Sequence, residues 1–461
     1  MKKCTAVIIA AFVSALTFAQ SPSLIEYVES VKKNNPDYKN AVLQSQKADI
    51  TAQANRKEKV LSGSIGAQGG IQGTSSANSG LTPLAGTSVT AEIQAPAGAK
   101  IQAGADYSLS LSDALKSDSI GISATASIPV FVNGKFIDAS LTEAADFVAI
   151  EAPYVSAKTA AEKQRLAVLD AVIRLALDTE SMERKLVLAQ KRLELAEKEA
   201  QIARIQWESG NTGFSVFDKT QKLCDEAKIS VQEIHNGLTV YKAKLAFASG
   251  RESADVSGLT VPPPLDSETV RRISGISAEV YQAELQVKIA GMNIIVTGAQ
   301  YAPVLSLSGR AGFPDTFAKT EGLTQSPTWS AALSISIPFP TGVEKLRKEA
   351  ARLSYEASVE EEISAKQNDA QQIQSMYAEY EMACDRENLR AQMLSQAQTR
   401  LKEAERAYET ETATALDKER AMLSVLEAES SLKDESITRF KSSLLLYTYF
   451  GMDPSELLSI K

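Results

Sequence analysis

Ile120-Gly121-Ile122-Ser123-Ala124-Thr125-Ala126-Ser127-Ile128-Pro129-Val130 decides how this chain is read. In an extended backbone successive side chains point to opposite faces. Ile120, Ile122, Ala124, Ala126 and Ile128 therefore share one face, and Gly121, Ser123, Thr125 and Ser127 share the other. One face is apolar and the other is wettable. Three earlier runs, 64–73, 89–95 and 101–111, have the same character, and two more follow at 304–313 and 329–337. Strands of about ten residues with this alternation suit a transmembrane barrel, lipid outside and water inside. A soluble sandwich of two sheets produces the same pattern, so both readings stand at this point.

On both sides of the strands the period changes from two to 3.5 and 3.6. The chain reads as helical from Leu24 to about Leu61, with Pro36 near its start, and from about Lys135 to Glu208. Leu186, Ala189, Leu193, Ala196, Ala200, Ala203 and Trp207 form a heptad seam of the coiled-coil kind. Ser209-Gly210-Asn211-Thr212-Gly213 breaks that helix. A second helix, 215–249, carries the seam Leu223, Ala227, Val231, Ile234, Leu238, Tyr241, Leu245 and Ala248. The programme then repeats: a helix over 267–300, two strands, a long helix over 343–409, a break near 410–414 and a last helix over 415–450.

Two junctions mark a duplication. Ser127-Ile128-Pro129 parallels Ser336-Ile337-Pro338 where strand gives way to long helix, and Trp207-Glu208-Ser209 parallels Tyr408-Glu409-Thr410. Each of the latter leads to an Asp-Lys pair, Asp218-Lys219 and Asp417-Lys418, with a two-residue insertion in the first copy. A repeat of roughly 200 residues indicates a doubled large unit and not a short-period solenoid. The organisation expected is a signal peptide over 1–19, a first repeat over 20–250, a linker over 251–266 containing Pro262-Pro263-Pro264, and a second repeat over 267–461. Two short helices end to end match one long helix in each copy, giving columns roughly 100 to 110 Å long.

Composition agrees with extended helices: aromatic residues are only 6% of 461. Lys2 and Lys3, an apolar run over 6–16 and Thr17-Phe18-Ala19 read as a secretory signal. Cys4 precedes the apolar run and does not mark a lipoprotein. Cys224 and Cys384 lie in helical segments without metal-ligand spacing. The net charge of −8, without a basic block, excludes a nucleic-acid partner. No catalytic constellation or cofactor motif is found: His235 stands alone on a charged helix, and Glu360-Glu361-Glu362 reads as a solvated face. The expectation is a protein that is not an enzyme and holds neither cofactor nor metal.

Taken in order, Leu24 to Asn35-Pro36-Asp37, the exits Ile128-Pro129 and Ile337-Pro338, and the entry Ala302-Pro303-Val304-Leu305-Ser306-Leu307-Ser308-Gly309 resemble the TolC family of outer-membrane efflux channels. The resemblance covers nearly all of the mature chain. It implies an α+β membrane protein, internally duplicated, whose long antiparallel coiled-coil helices form an α-barrel and whose β-hairpins contribute to a trimeric transmembrane β-barrel. It further implies a homotrimer in outer-membrane lipid with its helices in the periplasm, an adaptor (membrane fusion protein) and an inner-membrane transporter as partners, and passage of small molecules or secreted proteins. The competing reading is a periplasmic coiled-coil scaffold or adaptor with soluble β parts.

By the same resemblance the helix-to-helix turns form the periplasmic gate. Tyr408 and Asp417 fall at inner-tip positions, and Asp218 is the first-copy counterpart of Asp417. A ring of Asp417 side chains would favour cations; alternatively Asp417 caps the last helix, and both roles are compatible. Three positions depart from the family pattern: Glu411 where a glycine is common, Arg420 where a second acidic residue stands, and Ala413 in place of a basic one. Gly210 and Gly213 are the turn breakers of the first copy. A family subunit uses two hairpins, whereas the first copy here has four strand-like runs; the surplus pair is free to enlarge the barrel, extend outside it or remain soluble.

Overall fold

The computed structural model describes residues 24–73, 81–94, 100–111, 116–132, 135–136, 139–252, 256, 259, 261–265, 267–273, 275–313, 328–337 and 342–459. The expected signal peptide and Cys4 lie outside them. In chain order the elements are α1 (Leu24–Asn34), α2 (Pro36–Val60), β1 (Leu61–Gly73), β2 (Leu81–Gln94), β3 (Lys100–Leu111), β4 (Lys116–Val132) and β5 (Lys135–Phe136). There follow α3 (Ala139–Asp146), a π turn (Phe147–Glu151), α4 (Ala152–Glu208), α5 (Phe214–Ser249), α6 (Ser267–Arg272) and α7 (Ala278–Gln300). The chain continues with β6 (Val304–Phe313), β7 (Thr328–Ser336), α8 (Val343–Glu409) and α9 (Ala415–Tyr449). It divides into two units, one of residues 1–43, 160–278 and 367–461 and one of residues 44–159 and 279–366.

The first unit is helical. Its core gathers Tyr27, Val28 and Val31 of α1, Leu169, Ile173, Ala176 and Leu177 of α4, Leu245 of α5, and Ile437, Phe440, Leu444 and Tyr447 of α9. The sets of α1, α4 and α9 recur at three- and four-residue spacing, so each of these helices turns one stripe inward. Burying a large side chain of this kind contributes about 1.5–3 kcal/mol. Asn35 separates α1 from α2: its Oδ1 accepts the Tyr38 N–H at 2.8 Å and its Nδ2 donates to the Ala248 carbonyl at 2.6 Å. Pro36 then occupies the first helical position, where its missing N–H costs nothing.

Residues 251–266 do more than link. Val256 and Leu259 are buried in the α1/α4/α9 core, with Val261 and Leu265 packed against it. Tyr380 of α8 donates its hydroxyl to the Leu265 carbonyl, and Arg439 of α9 reaches the Pro262 carbonyl at 3.0 Å. The helix expected over 267–300 is two helices. Between them Gly275 lies against Phe450, whose side chain a Cβ would meet at 3.4 Å, and Ile273 turns into the core.

The second unit holds one antiparallel sheet in the order β1-β2-β3-β4-β6-β7, with β5 folded back on the helix-proximal end of β4. All six strand-like runs are strands of this sheet. The surplus pair of the first copy thus extends it between β1 and β4. A register shift between Pro129 and Phe131 marks where Pro129, lacking an N–H, interrupts the ladder. Beside the sheet, Asp49 of α2 accepts from the Tyr154 hydroxyl and from Lys158 of α4, and Arg56 pairs with Glu151.

Candidate functional site

The two helix-to-helix turns share one hydrogen-bond scheme. In the first, Gly210 N–H donates to Trp207 O, and Asn211 and Thr212 both donate to Gln206 O. In the second, Glu411 donates to Tyr408 O, and Thr412 and Ala413 both donate to Ala407 O. Such a closure needs a left-handed residue after the helix. Gly210 supplies φ of 76°, and Glu411 is held at φ of 56°, a region that a side chain makes costly. Glu411, the departure from the family's glycine, is thus the sole non-glycine with positive φ among the described residues.

Gly213 and Thr414 are the N-caps of α5 and α9. Gly213 has no side chain to offer. Thr414 makes a capping box: its Oγ1 accepts the Asp417 N–H at 3.2 Å while the Asp417 carboxylate accepts the Thr414 N–H at 3.1 Å and its hydroxyl at 2.7 Å. These bonds from Thr414 hold the Asp417 carboxyl below the ordinary carboxylate range. Its other oxygen faces Arg420 at 3.4 Å. The side chain is therefore a helix cap within the chain.

The equal turns also place the two-residue insertion. It lies inside α5, not in the turn, so Asp218 is the fifth residue of its helix and Asp417 the third. The two aspartates do not occupy equivalent positions. Asp218 pairs with Lys222 one turn on, at 2.7 Å. Tyr408 is half-exposed with Lys418 over its ring at 5.8 Å, and Lys418 also faces Glu405.

Arg420 does something its sequence position did not announce. Its guanidinium grips Glu199 of α4 at 2.7 Å, and with Lys198–Glu419 at 2.6 Å and Arg192–Glu427 at 2.8 Å it ties α4 to α9. Farther along, Arg184 bonds Asp434, and Lys441 pairs with Asp178. At the first turn Trp207 stacks on Phe217, ring centroids 5.2 Å apart, with Phe214 edge-on to both. Only the aromatic spacing at 207, 214 and 217 hinted at that cluster. A cavity of about 630 Å³ sits beside the proline segment, lined among others by Glu183, Leu188, Pro263 and Lys433. Arg439, almost fully buried, pairs there with Glu387 at 2.6 Å.

The sheet supplies the other functional surface. On β4, Ile122, Ala124, Ala126 and Ile128 are exposed while Ser123, Thr125 and Ser127 are half-buried; on β2, Val89, Ala91 and Ile93 are exposed and Thr90 and Glu92 half-buried. On β7 both faces are exposed, the apolar one through Trp329 at 83%, Leu333 at 67% and Ile335 at 66%. A water-soluble sheet would be covered on the opposite face. The polar face carries Ser306 and Ser334, hydrogen-bonded at 2.7 Å, the Glu92–Lys100 pair, and Arg310 opposite Thr125. Among the described residues no helix is long and apolar enough to cross a membrane.

The outer membrane efflux protein family matches residues 275–451. That match lies within the second repeat of the chain. The whole fold is the TolC-like one of solved outer-membrane channels. The outer membrane protein VceC of Vibrio cholerae is 16% identical, with 93% of this chain and 96% of that chain covered and a TM-score of 0.65. The open-state MtrE outer membrane channel of Neisseria gonorrhoeae is 18% identical, with 93% and 89% covered and a TM-score of 0.62. A membrane protein from Pseudomonas aeruginosa is 16% identical, with 93% and 90% covered and a TM-score of 0.64. No curated protein sequence matches. The first repeat, with its two surplus strands, lies wholly outside the family match.

Proposed function

We propose that the chain is the outer-membrane subunit of an efflux or secretion conduit, a homotrimer whose strands cross the outer membrane and whose helices stand in the periplasm. The observation that carries this reading is the two-faced sheet, with exposed aliphatic side chains and Trp329 on one face and hydroxyls on the other. Exposed apolar surface of that extent marks a contact with lipid or another protein, the two-faced strand pattern favours lipid, and a face of serine, threonine and glutamine suits a water-filled lumen. A soluble scaffold or adaptor would leave that apolar face in water, so this second reading gains nothing from the fold.

Transport by such a conduit is passive. The chain forms a path, and energy comes from an inner-membrane transporter through a periplasmic adaptor. The α4–α9 ion pairs beside the turns are the groups that hold the helix ends together, and Arg420, gripping both Glu199 and Asp417, is the centre of that set. Separating α4 from α9 would break each of these pairs at a modest cost, about 0.2–1 kcal/mol for an exposed pair. The gate is therefore built to yield to a partner.

The test is fractionation followed by planar-bilayer recording. Heat-modifiable trimers in outer-membrane fractions, with discrete conductance after reconstitution, are expected. A soluble monomer, or protein released from membranes by carbonate, would reject the channel. Asp417→Ala then addresses the ring of acidic side chains: unchanged current and selectivity would leave Asp417 as a helix cap alone.

A further inference from the structure

One copy of the chain leaves its sheet open. Among the described residues β1 and β7 each have one paired neighbour and one free edge, and six strands fall short of the eight that the smallest transmembrane barrels use. A free edge is a template for another strand. Because the path alternates in direction through six antiparallel strands, β1 and β7 run opposite ways. A second copy can therefore continue the antiparallel order through a β7–β1 seam.

The register of that seam follows from the pairing inside one chain. One level across the sheet runs Leu61, Ile93, Ile101, Ala126, Gly309 and Ala331. Leu61 is the first residue of β1, whereas Ala331 is five residues short of the helix-proximal end of β7 at Ser336. The sheet is already staggered in the sense a barrel needs. If Ala331 lies opposite a β1 residue of the next copy, the shift from Leu61 to that residue is the stagger contributed per copy.

Two conditions limit the shift. It must be even, since a one-residue slip would turn the apolar face of β7 inward. It must also give a strand tilt of about 35–45°; with ~3.4 Å per residue and ~4.8 Å between strands, shifts of six and eight give about 35° and 43°, while four and ten fall outside. A shift of four would also place Ser336 opposite Val60, which is helical, and ten would run Thr328 beyond the end of β1 at Gly73. Six sets β7 against Ser62 through Gly70, and eight sets it against Ser64 through Gln72; in both, all nine residues of β7 find a partner on β1.

We infer that three copies close an eighteen-stranded barrel through β7–β1 seams in which Ala331 faces Ala67 or Gly69 of the next copy. The inference rests on the trimeric outer-membrane reading above and adds its strand count and contact. Compared with twelve strands, the backbone radius rises from about 12 Å to about 18 Å at a tilt near 40°. The surplus hairpin of the first repeat is the source of that width. A lumen with roughly twice the cross-section follows.

Disulfide scanning tests it in the full-length protein lacking Cys224 and Cys384. Ala331→Cys combined with Ala67→Cys or with Gly69→Cys should give covalent dimers and trimers on denaturing gels for one of the two pairs. Leu307→Cys with Leu333→Cys, partners within one chain, should link without changing size and shows that outward positions oxidise. Trimers that form the internal link but no cross-chain link at either position overturn the seam while leaving the channel reading intact. Cross-linking that stops at dimers overturns the count, and a soluble monomer overturns the channel reading itself. Imaging of the unaltered detergent-solubilised protein gives the second readout: eighteen strands support the inference and twelve refute it.

Discussion

Replacing Glu411 by glycine should stabilise the second turn, and replacing Gly210 by alanine should destabilise the first. Both residues sit in the same left-handed position of the same hydrogen-bond scheme. Around Gly210 a Cβ would meet nothing within 4 Å, so crowding contributes nothing and the backbone alone decides. A side chain at this φ costs about 1–2 kcal/mol, and the extra freedom of an unfolded glycine returns about 0.5–1 kcal/mol. Gly210→Ala should therefore cost about 1 kcal/mol and Glu411→Gly should gain a similar or smaller amount. Global melting of so long a chain would dilute such a change, whereas amide exchange at the turn reports local opening directly. About 1 kcal/mol corresponds to roughly a fivefold change in protection, slower at 410–413 in one variant and faster at 209–212 in the other. Equal exchange in both variants, or a loss of protection in Glu411→Gly, would refute the argument from backbone conformation.

Three further outcomes follow from the helical unit. Arg439→Ala leaves the half-buried Glu387 with only the Ser436 hydroxyl as partner and frees the Pro262 carbonyl, at a cost of about 1–3 kcal/mol in thermal or urea unfolding, whereas Arg439→Met with Glu387→Met should come close to neutral. Because the bonds from Thr414 lower the Asp417 pKa in the folded state, its contribution is fully present above the ordinary value of 3.8 and disappears as pH falls through the lowered one. Exchange at the start of α9 should thus be flat from pH 7 to 5 after correction for intrinsic rates, and a loss in that range would contradict the capping assignment. Arg420→Ala removes two contacts at once and should raise open probability in bilayers more at low salt than at high salt; an unchanged channel would show that α4 and α9 are held by other groups.

Much of this architecture was legible because its signals are periodic. Alternation marked all six long strands, and heptads marked α4 and α5. The start of β2 escaped because Thr82-Pro83-Leu84-Ala85-Gly86 has turn composition; Pro83 pairs with β1 at a level beyond the last pair of β2 with β3, where its missing N–H costs no second ladder. The segment 261–265 reads as a linker since prolines punctuate chains, yet its place is set by Arg439 and Tyr380, more than a hundred residues away. Sequence patterns report what neighbours along the chain do, and these contacts are not neighbours.

The turns show the same limit at finer grain. Gly210 announces a left-handed residue, but Glu411 hides one, and only the paired hydrogen bonds reveal that the two positions are alike. The Asp-Lys motif misaligned the copies for a related reason. Chemical likeness matched Asp218 to Asp417, while helix geometry matches Gly213 to Thr414 and leaves the aspartates out of step. Arg420 was visible as a departure from the family pattern. Its grip on Glu199 depends on the packing of α4 against α9, which the local sequence does not encode.

The bare apolar face and the two open edges of the sheet also set an order of events. In water a single copy would display aliphatic strands and unpaired backbone groups together, the combination that drives strands of unrelated chains to aggregate. The helical unit, whose core gathers α1, α4, α5 and α9, has no such liability and is able to fold first. On the trimeric reading, strand closure then has to coincide with entry into lipid and with the meeting of copies. Assembly of such a barrel would be a concentration-dependent step, and a protein made faster than its copies can meet should accumulate as sheet-exposed monomers before it accumulates as pores.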